Sequence, residues 1–568
     1  MSQWDESVDL LIVGSGGGSM CAALKAKELG KRALIIEKLD KVGGSTGYSG
    51  GVWWVPNNPV MKRHGVADSY EKAQQYLAST VTYEGPSTSP ERREAFLRTG
   101  PLMVDFLERA GMAFEYADGW ADYYDDRPGG QPRGRSLVAK LFDVRELGDW
   151  AGRLSRYQGA AIPANSHEFP TLFLMKRTWA GKLKALQLGL RMAKQKLTGK
   201  EILGGGAAIQ GRMLQIALRE GLPIWTSTPV QELIVEDGRV TGVVALREGR
   251  QVRVQAKDGV LINTGGFSRN ADMRKRFQPQ PSSAQWTNAN PGDTGEVIEA
   301  AMQLGAAVDC MDEAWWVVTS LGPDESLPEG ARTAKGEPLP FMHHLDLSLP
   351  YSIMVDQDGQ RFCDEAGSYM EIGQRMYKRQ AETGKAVPSW VVMDSRQRKF
   401  YPWGTAMPGQ VPKQWLDSGY MVKADTLEAL ARKCAIDTAG LLDTVQRFNG
   451  FCAKGVDADF GRGSRAFDRC HGDPSVTPNP NLGSIEQGPF YAVRMYPGDV
   501  GTAGGLVTDQ YARVLREDGS CIAGLYATGN ATAGVTGRCY PGAGTSIAAS
   551  FIFAYIAAQH SAGRDNIW

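Results

Sequence analysis

Val8-Asp9-Leu10-Leu11-Ile12-Val13-Gly14-Ser15-Gly16-Gly17-Gly18-Ser19 opens the first strongly patterned stretch of the chain. Val8 to Val13 is a short, branched, apolar run, as expected of a buried parallel strand. Glycines follow at once, and Met20 to Leu29 has helical character closed by Gly30. Arg32-Ala33-Leu34-Ile35-Ile36 reads as a second strand, with Glu37 at its end. Strand, glycine turn, helix, strand and terminal acid make a βαβ unit with a dinucleotide fingerprint. Gly14 permits the tight turn, and Gly16 lets backbone approach a pyrophosphate. The helix N-terminus offers unpaired N–H groups and partial positive charge, and Glu37 can accept from a ribose hydroxyl.

Four further glycine stretches say which dinucleotide. Gly43-Gly44-Ser45-Thr46-Gly47-Tyr48-Ser49-Gly50-Gly51 follows the second strand and adds backbone N–H groups. Gly259-Val260-Leu261-Ile262-Asn263-Thr264-Gly265-Gly266 is a strand-and-glycine run in mid-chain, and Gly524 to Asn530 is another near the end. Gly542-Ala543-Gly544-Thr545-Ser546 then opens an apolar helix, Ile547 to Ala558, whose dipole suits the electron-rich edge of a reduced flavin. Cofactor elements at both ends of the chain fit FAD better than NAD. The predicted cradle comprises Gly14, Ser15, Gly16, Gly17, Gly18, Glu37, Lys38, Gly43, Gly44, Ser45, Ser49, Gly50, Gly51, Val230, Thr264, Gly265, Gly266, Asp293, Gly529, Asn530, Gly544, Ser546 and Ile547.

The fold class that follows is α/β: a Rossmann-like FAD-binding domain interrupted by an α+β substrate domain. The expected limits are 1–313 and 486–568 for the first and 314–485 for the second, with an insertion at about 150–205. Val230 to Val244 alternates around Asp237-Gly238 as a hairpin, Ser352 to Phe362 reads as another hairpin, and Leu427 to Phe448 reads as helix.

Composition narrows the function. The 568 residues carry 63 Lys+Arg and 63 Asp+Glu, a net charge of zero, which argues against nucleic acid as a partner. Eight scattered cysteines without a CxxC pair, and six histidines, point to neither a metal site nor a disulfide framework. The first residues lack a secretory pattern and no apolar run reaches the ~18 residues of a transmembrane helix, so cytoplasmic residence is expected.

Residues 169–200 contain eight Lys and Arg and no acid, with Leu172, Met175, Trp179, Leu183, Leu186, Leu190 and Leu197 at steps of three and four. Such a basic amphipathic helix has two readings. It lies peripherally on the inner, anionic face of a membrane, or it packs on the protein or a second subunit.

The cofactor motifs resemble the FAD-dependent fumarate reductase and 3-ketosteroid dehydrogenase family. Ala121-Asp122-Tyr123-Tyr124, Gly359-Gln360-Arg361-Phe362…Ser368-Tyr369 and Gly537-Arg538-Cys539-Tyr540-Pro541-Gly542-Ala543-Gly544 look like the 3-ketosteroid Δ1-dehydrogenases in particular. The likeness spans nearly the whole chain outside the insertion. It implies FAD-dependent removal of two hydrogens across C1–C2 of a 3-ketosteroid, with a separate acceptor, quinone or other, reoxidising the flavin. It further implies Tyr369 as the base at C2, Tyr123 (rather than Tyr124) as its assistant, Tyr540 and the Gly544 N–H on the C3 ketone, and hydride from C1 to flavin N5. Two rivals share the fold. A fumarate-type reductase would need cations beside the substrate, and Pro541 stands where arginine would serve. A dehydrogenase acting at C4–C5 would need a differently placed base.

Overall fold

The computed structural model describes residues 4–157, 162–328 and 336–568. Its main sheet has eight strands, ordered Arg513–Leu515, Cys521–Ala527, Arg239–Arg247, Arg250–Ile262, Glu6–Val13, Ala33–Ile36 and Ile224–Trp225, with Val230–Glu236 paired to Arg239–Arg247. Glu6–Val13 sits centrally, parallel to both Arg250–Ile262 and Ala33–Ile36. Leu11 and Ile12 are wholly buried, as a strand covered on both faces requires. Arg250–Ile262 is antiparallel to Arg239–Arg247 over its first half and parallel to Cys521–Ala527 over its end. Arg513–Leu515 and Cys521–Ala527, near the end of the chain, thereby rejoin the sheet begun by the first forty residues. The expected hairpin between Val230–Glu236 and Arg239–Arg247 is present, with Asp237 and Gly238 both at positive φ as its turn demands.

Two helices are stacked beneath the fingerprint. Gly17–Glu28 packs along the C-terminal helix Thr545–Ser561, most of which is buried. A Cβ on Gly18 would lie 2.2 Å from the Ser550 carbonyl oxygen, so this glycine serves helix packing.

A second, antiparallel sheet carries the other half of the site. Phe490–Tyr496 is central in it, pairing with Ser389–Met393, Met421–Ala424 and Thr319–Ser320. That sheet therefore runs beyond the expected limit at 485, because this strand joins Ser389–Met393 to Met421–Ala424 and Thr319–Ser320. The expected hairpin at 352–362 does not form: Ser352–Val355 pairs instead with Ser389–Met393. The helix expected from Leu427 to Phe448 is two, Leu427–Cys434 and Thr438–Lys454, broken where Ala435 turns left-handed and Asp437 caps the second through Gly440 N–H at 2.6 Å.

The insertion is closed at its base by pairing of Phe142–Asp143 with Ile202–Leu203. Residues 158–161 of it lie outside the described residues, as do 1–3 and 329–335. Its basic segment is broken in two. Phe169–Phe173 is one short helix, and Trp179–Thr198 begins afresh at Thr178, whose hydroxyl accepts from Gly181 N–H at 3.0 Å.

A buried ion cluster fixes the substrate side. Glu365 accepts from Arg361 at 2.8 and 3.0 Å, from Arg462 at 3.2 Å and from Met354 N–H at 3.0 Å. Arg361 also reaches Asp457 at 2.9 Å, and Arg462 donates to the carbonyls of Ser352, Leu347 and Leu349. Burial would raise the Glu365 carboxyl, but Arg361 and Arg462 outweigh it and hold it at about 2. Glu365→Ala leaves Arg462 buried without its carboxylate and Arg361 with Asp457 alone, and is expected to cost about 3–5 kcal/mol in denaturant unfolding. The stability Glu365 provides is complete above the usual carboxylate pKa and fades as pH falls toward about 2, so the wild-type advantage over Glu365→Gln shrinks across that acid range.

Candidate active site

One cavity of about 580 Å³ runs from the fingerprint to three tyrosines. At its cofactor end two helix N-termini face inward, Gly17–Glu28 and Thr545–Ser561, each preceded by a glycine that has no side chain to cap it. Gly17 N–H and Gly18 N–H reach the Thr46 and Ser550 hydroxyls only at 3.3 Å, and the helix dipoles favour a ligand's oxygens there. Glu37 accepts from Ser15 N–H (2.9 Å), Ser15 Oγ (2.6 Å) and Leu39 N–H (2.8 Å), and burial raises its carboxyl. Asp293 accepts from Ser45 Oγ at 2.9 Å, and burial lifts it to about 7 against the opposing pull of Ser45 and Lys38. Thr264 Oγ1 lies buried without a partner among the described residues. Inward-facing helix ends, buried acceptors and an unsatisfied hydroxyl suit the phosphates and polyol of a dinucleotide.

Of the cradle residues expected from sequence, twenty line this cavity and three do not. Gly18 faces the C-terminal helix. Gly43 turns at φ +122° behind the wall, its N–H bonded to Ser15 Oγ at 3.0 Å. A Cβ on Gly266 would stand 1.9 Å from Thr502 Oγ1, so it too serves packing.

At the other end, Tyr123, Tyr369 and Tyr540 form a triangle, with ring centroids 5.5, 5.4 and 5.7 Å apart. All three line the cavity, and Tyr124 does not. Tyr540 stands ahead of the turn at Gly544, where φ is +84° and a Cβ would lie 1.6 Å from Val52 O. Glycine is obligatory there. The Gly544 N–H donates to the Tyr540 hydroxyl at 3.0 Å, so these two donors are close enough to share one acceptor.

The triangle is pinned by neighbours the sequence did not single out. The Pro541 carbonyl accepts from Tyr123 N–H at 3.0 Å and from the Tyr76 hydroxyl at 2.7 Å. The same Tyr76 oxygen accepts from Tyr124 N–H at 3.2 Å. Asp122, next to Tyr123, accepts from Trp54 Nε1 at 2.8 Å and pairs with buried Arg135. Burial lifts its carboxyl to about 6 against the pull of Arg135. Tyr369 starts the helix Tyr369–Thr383, and Gln374 of that helix donates to the Arg538 carbonyl at 2.9 Å, two residues before Tyr540. Arg538 itself is held by Asp312 and Glu313 and lies outside the cavity lining.

Burial drives the Tyr369 hydroxyl well above the ordinary tyrosine value, and Tyr123 and Tyr540 push it further. Tyr123 is raised in the same way, by burial first and by Tyr540 next. Both phenols are thus protonated at rest, and any proton Tyr369 takes must be relayed through the hydroxyls within its hydrogen-bonding reach.

Around the triangle the wall is apolar: Trp120, Phe169, Phe173, Val317, Met342 and Leu345. Phe169 and Phe173 come from the insertion. Their spacing of four was visible in the sequence, but nothing local told which side of the chain they would cover. His344, also on this wall, sits in a loop without periodicity.

Comparison with known proteins agrees with this geometry. The family described as FAD binding domain matches residues 9–547. The 3-oxosteroid 1-dehydrogenase of Mycobacterium tuberculosis is 40% identical, over 98% of this chain and 99% of that protein. A 4-oxocyclohex-2-ene-1-carboxylate 5-dehydrogenase of Sinomonas cyclohexanicum is 34% identical, over 98% and 93%. The crystal structure of 3-ketosteroid Δ1-dehydrogenase from Sterolibacterium denitrificans, in complex with 1,4-androstadiene-3,17-dione, superposes with a TM-score of 0.90 at 37% identity, covering 98% of this chain and all of that one. FAD is the cofactor that the cradle holds, and the chain belongs to the FAD-binding-domain family, among its 3-oxosteroid 1-dehydrogenases.

Proposed function

We propose that this protein introduces the C1=C2 double bond into ring A of 3-ketosteroids. The observation that carries the reading is the phenol triangle beside a glycine turn, at the apolar end of a cofactor cavity. Tyr540 and the Gly544 N–H hold the C3 ketone oxygen. As C2 loses its proton, charge builds on that oxygen, and each such donor contributes about 3–4 kcal/mol to the barrier's reduction. Tyr369 takes the C2 proton as its own hydroxyl proton leaves by way of the Tyr123 hydroxyl, which releases one proton in turn to bulk water, so that no phenolate has to persist in a dry pocket. Bound FAD supplies the acceptor for the hydride leaving C1, and a separate acceptor, quinone or other, later removes the electrons. The six apolar wall residues cover the fused rings and keep water from the enolate-like oxygen.

The dicarboxylate reading lacks its cations. The arginine nearest Tyr540, Arg538, is committed to Asp312 and Glu313. Among the described residues no lysine or arginine stands on the 317 and 342–345 walls, which argues against a small keto-carboxylate as substrate.

Peripheral membrane attachment is the further part of the proposal. No helix among the described residues is long and apolar enough to cross a membrane. Trp179–Thr198, however, turns its apolar stripe outward: Trp179, Leu190 and Leu197 are 83%, 62% and 87% exposed. Its inward face is tied down by Lys184 and Arg191, both bonded to Glu168. Lys182, Lys194, Lys196 and Lys200 are exposed beside the stripe. Greasy ridge and basic flanks together fit an anionic bilayer, whereas a second copy would bring lysines against lysines.

Anaerobic addition of androst-4-ene-3,17-dione is expected to bleach the yellow protein. Tyr369→Phe should retain FAD while turnover falls about 10³-fold; wild-type turnover in that variant would remove Tyr369 as base. The protein should sediment with vesicles containing phosphatidylglycerol but not with phosphatidylcholine alone. Leu183→Glu with Leu190→Glu should release it, and binding unchanged by these substitutions would remove the helix as the anchor.

A further inference from the structure

His344 is the polar exception on the wall built by Val317 and Met342–Leu345. Its ring meets that of Tyr369 edge-on, with centroids 5.9 Å apart. Among the described residues neither of its nitrogens has a hydrogen-bond partner, although the ring is only partly exposed, and that exposure is to the cavity. Burial lowers its pKa to about 4, so the ring is neutral at neutral pH and can both donate and accept.

The neighbouring residue explains how His344 is presented. His343 points the other way, into the substrate domain. There its Nδ1 meets Asp346 Oδ2 at 2.6 Å and its Nε2 meets Ser320 Oγ at 2.7 Å. Ser320 Oγ is shared with the Tyr420 hydroxyl at 2.6 Å, and that hydroxyl accepts from Trp403 Nε1 at 3.1 Å. The His343 ring also stacks on Trp403, with centroids 4.2 Å apart. Asp346, His343 and Ser320 make the contacts of a hydrolase triad, but the serine is fully buried and committed to Tyr420, so no substrate can reach it. What the network does is lock the 343–346 loop, leaving the His344 imidazole fixed on the cavity wall.

A hydrocarbon skeleton laid over an unpartnered imidazole would strip its water and return nothing. A ligand oxygen placed there restores the hydrogen bond. The C3 ketone is already allotted to Tyr540 and Gly544. On the reading of the site as a ketosteroid pocket, we propose that His344 is a specificity-determining residue that hydrogen-bonds a second oxygen of the steroid, on ring C or D.

The test compares substrates that differ by one oxygen. Androst-4-ene-3,17-dione and its 11-oxo derivative are set against androst-4-en-3-one, with wild type, His344→Phe and His344→Gln, all loaded with FAD. In wild type one of the oxygenated substrates should be preferred in kcat/KM. His344→Phe should lower that preference about 10-fold, through KM rather than kcat, and His344→Gln should restore most of it. Preferences unchanged in His344→Phe, or a fall equal for all three substrates, overturns the assignment. So does a loss confined to kcat, which would place the ring in proton transfer instead. Should wild type itself act on none of these ketones, the ketosteroid reading fails, which is a different outcome from a wild type that turns them over with a silent His344.

Discussion

The Pro541 carbonyl is the contact on which the site depends. It draws together Tyr123, through its backbone N–H, and Tyr76, through its hydroxyl, and it belongs to the residue that follows Tyr540. Two chain segments more than four hundred residues apart are thereby fixed to one oxygen. Without that tie, Tyr123 would be a buried phenol on an irregular loop. With it, Tyr123 is held at the corner of a triangle whose other corners start a helix and precede a turn only glycine can make. Positioning of this kind carries much of what such a site contributes to rate, because displaced hydroxyls could no longer meet the same reacting atoms.

A dry pocket raises the cost of every charge in it. Tyr369 and Tyr123 are pushed away from ionisation by the surroundings that exclude water, so the site does not hold a resting phenolate. It holds hydroxyls close enough to move protons in concert with bond breaking. On the proposed reading, the charge that develops on the ketone oxygen would be met by a phenol and a backbone N–H that already lie 3.0 Å apart. Buried carboxylates lie farther out, under Asp122 and Glu365, where arginines neutralise them and they serve geometry.

Much of this was legible in the chain itself. The βαβ unit, the far glycine turn and the hairpin at Asp237-Gly238 are local patterns whose residues leave little choice of conformation. The place of Tyr540 on the cavity wall was legible because it lies between glycine turns. The route from the Tyr369 helix to the Arg538 carbonyl through Gln374, and the pinning by Tyr76, were not: both are contacts between segments distant in sequence, and neither residue type announces them. The division at 485 missed because Phe490–Tyr496 looks like any buried strand, and only its partners say which sheet it completes. Gly18, Gly43 and Gly266 misled for a related reason. A glycine admits close approach, but the pattern does not say whether a ligand or the protein's own backbone comes near. The basic helix had two readings in the sequence; its apolar stripe faces outward, which supports the proposed bilayer contact.

Locating the new double bond tests the central claim most directly. Purified FAD-loaded protein would be given the saturated ketone 5α-androstane-3,17-dione with an artificial electron acceptor, and the product's olefinic carbons assigned by NMR. The account predicts unsaturation between C1 and C2, set by Tyr369 facing C2 while Tyr540 and Gly544 hold the C3 oxygen. Unsaturation between C4 and C5 would contradict that placement of the base.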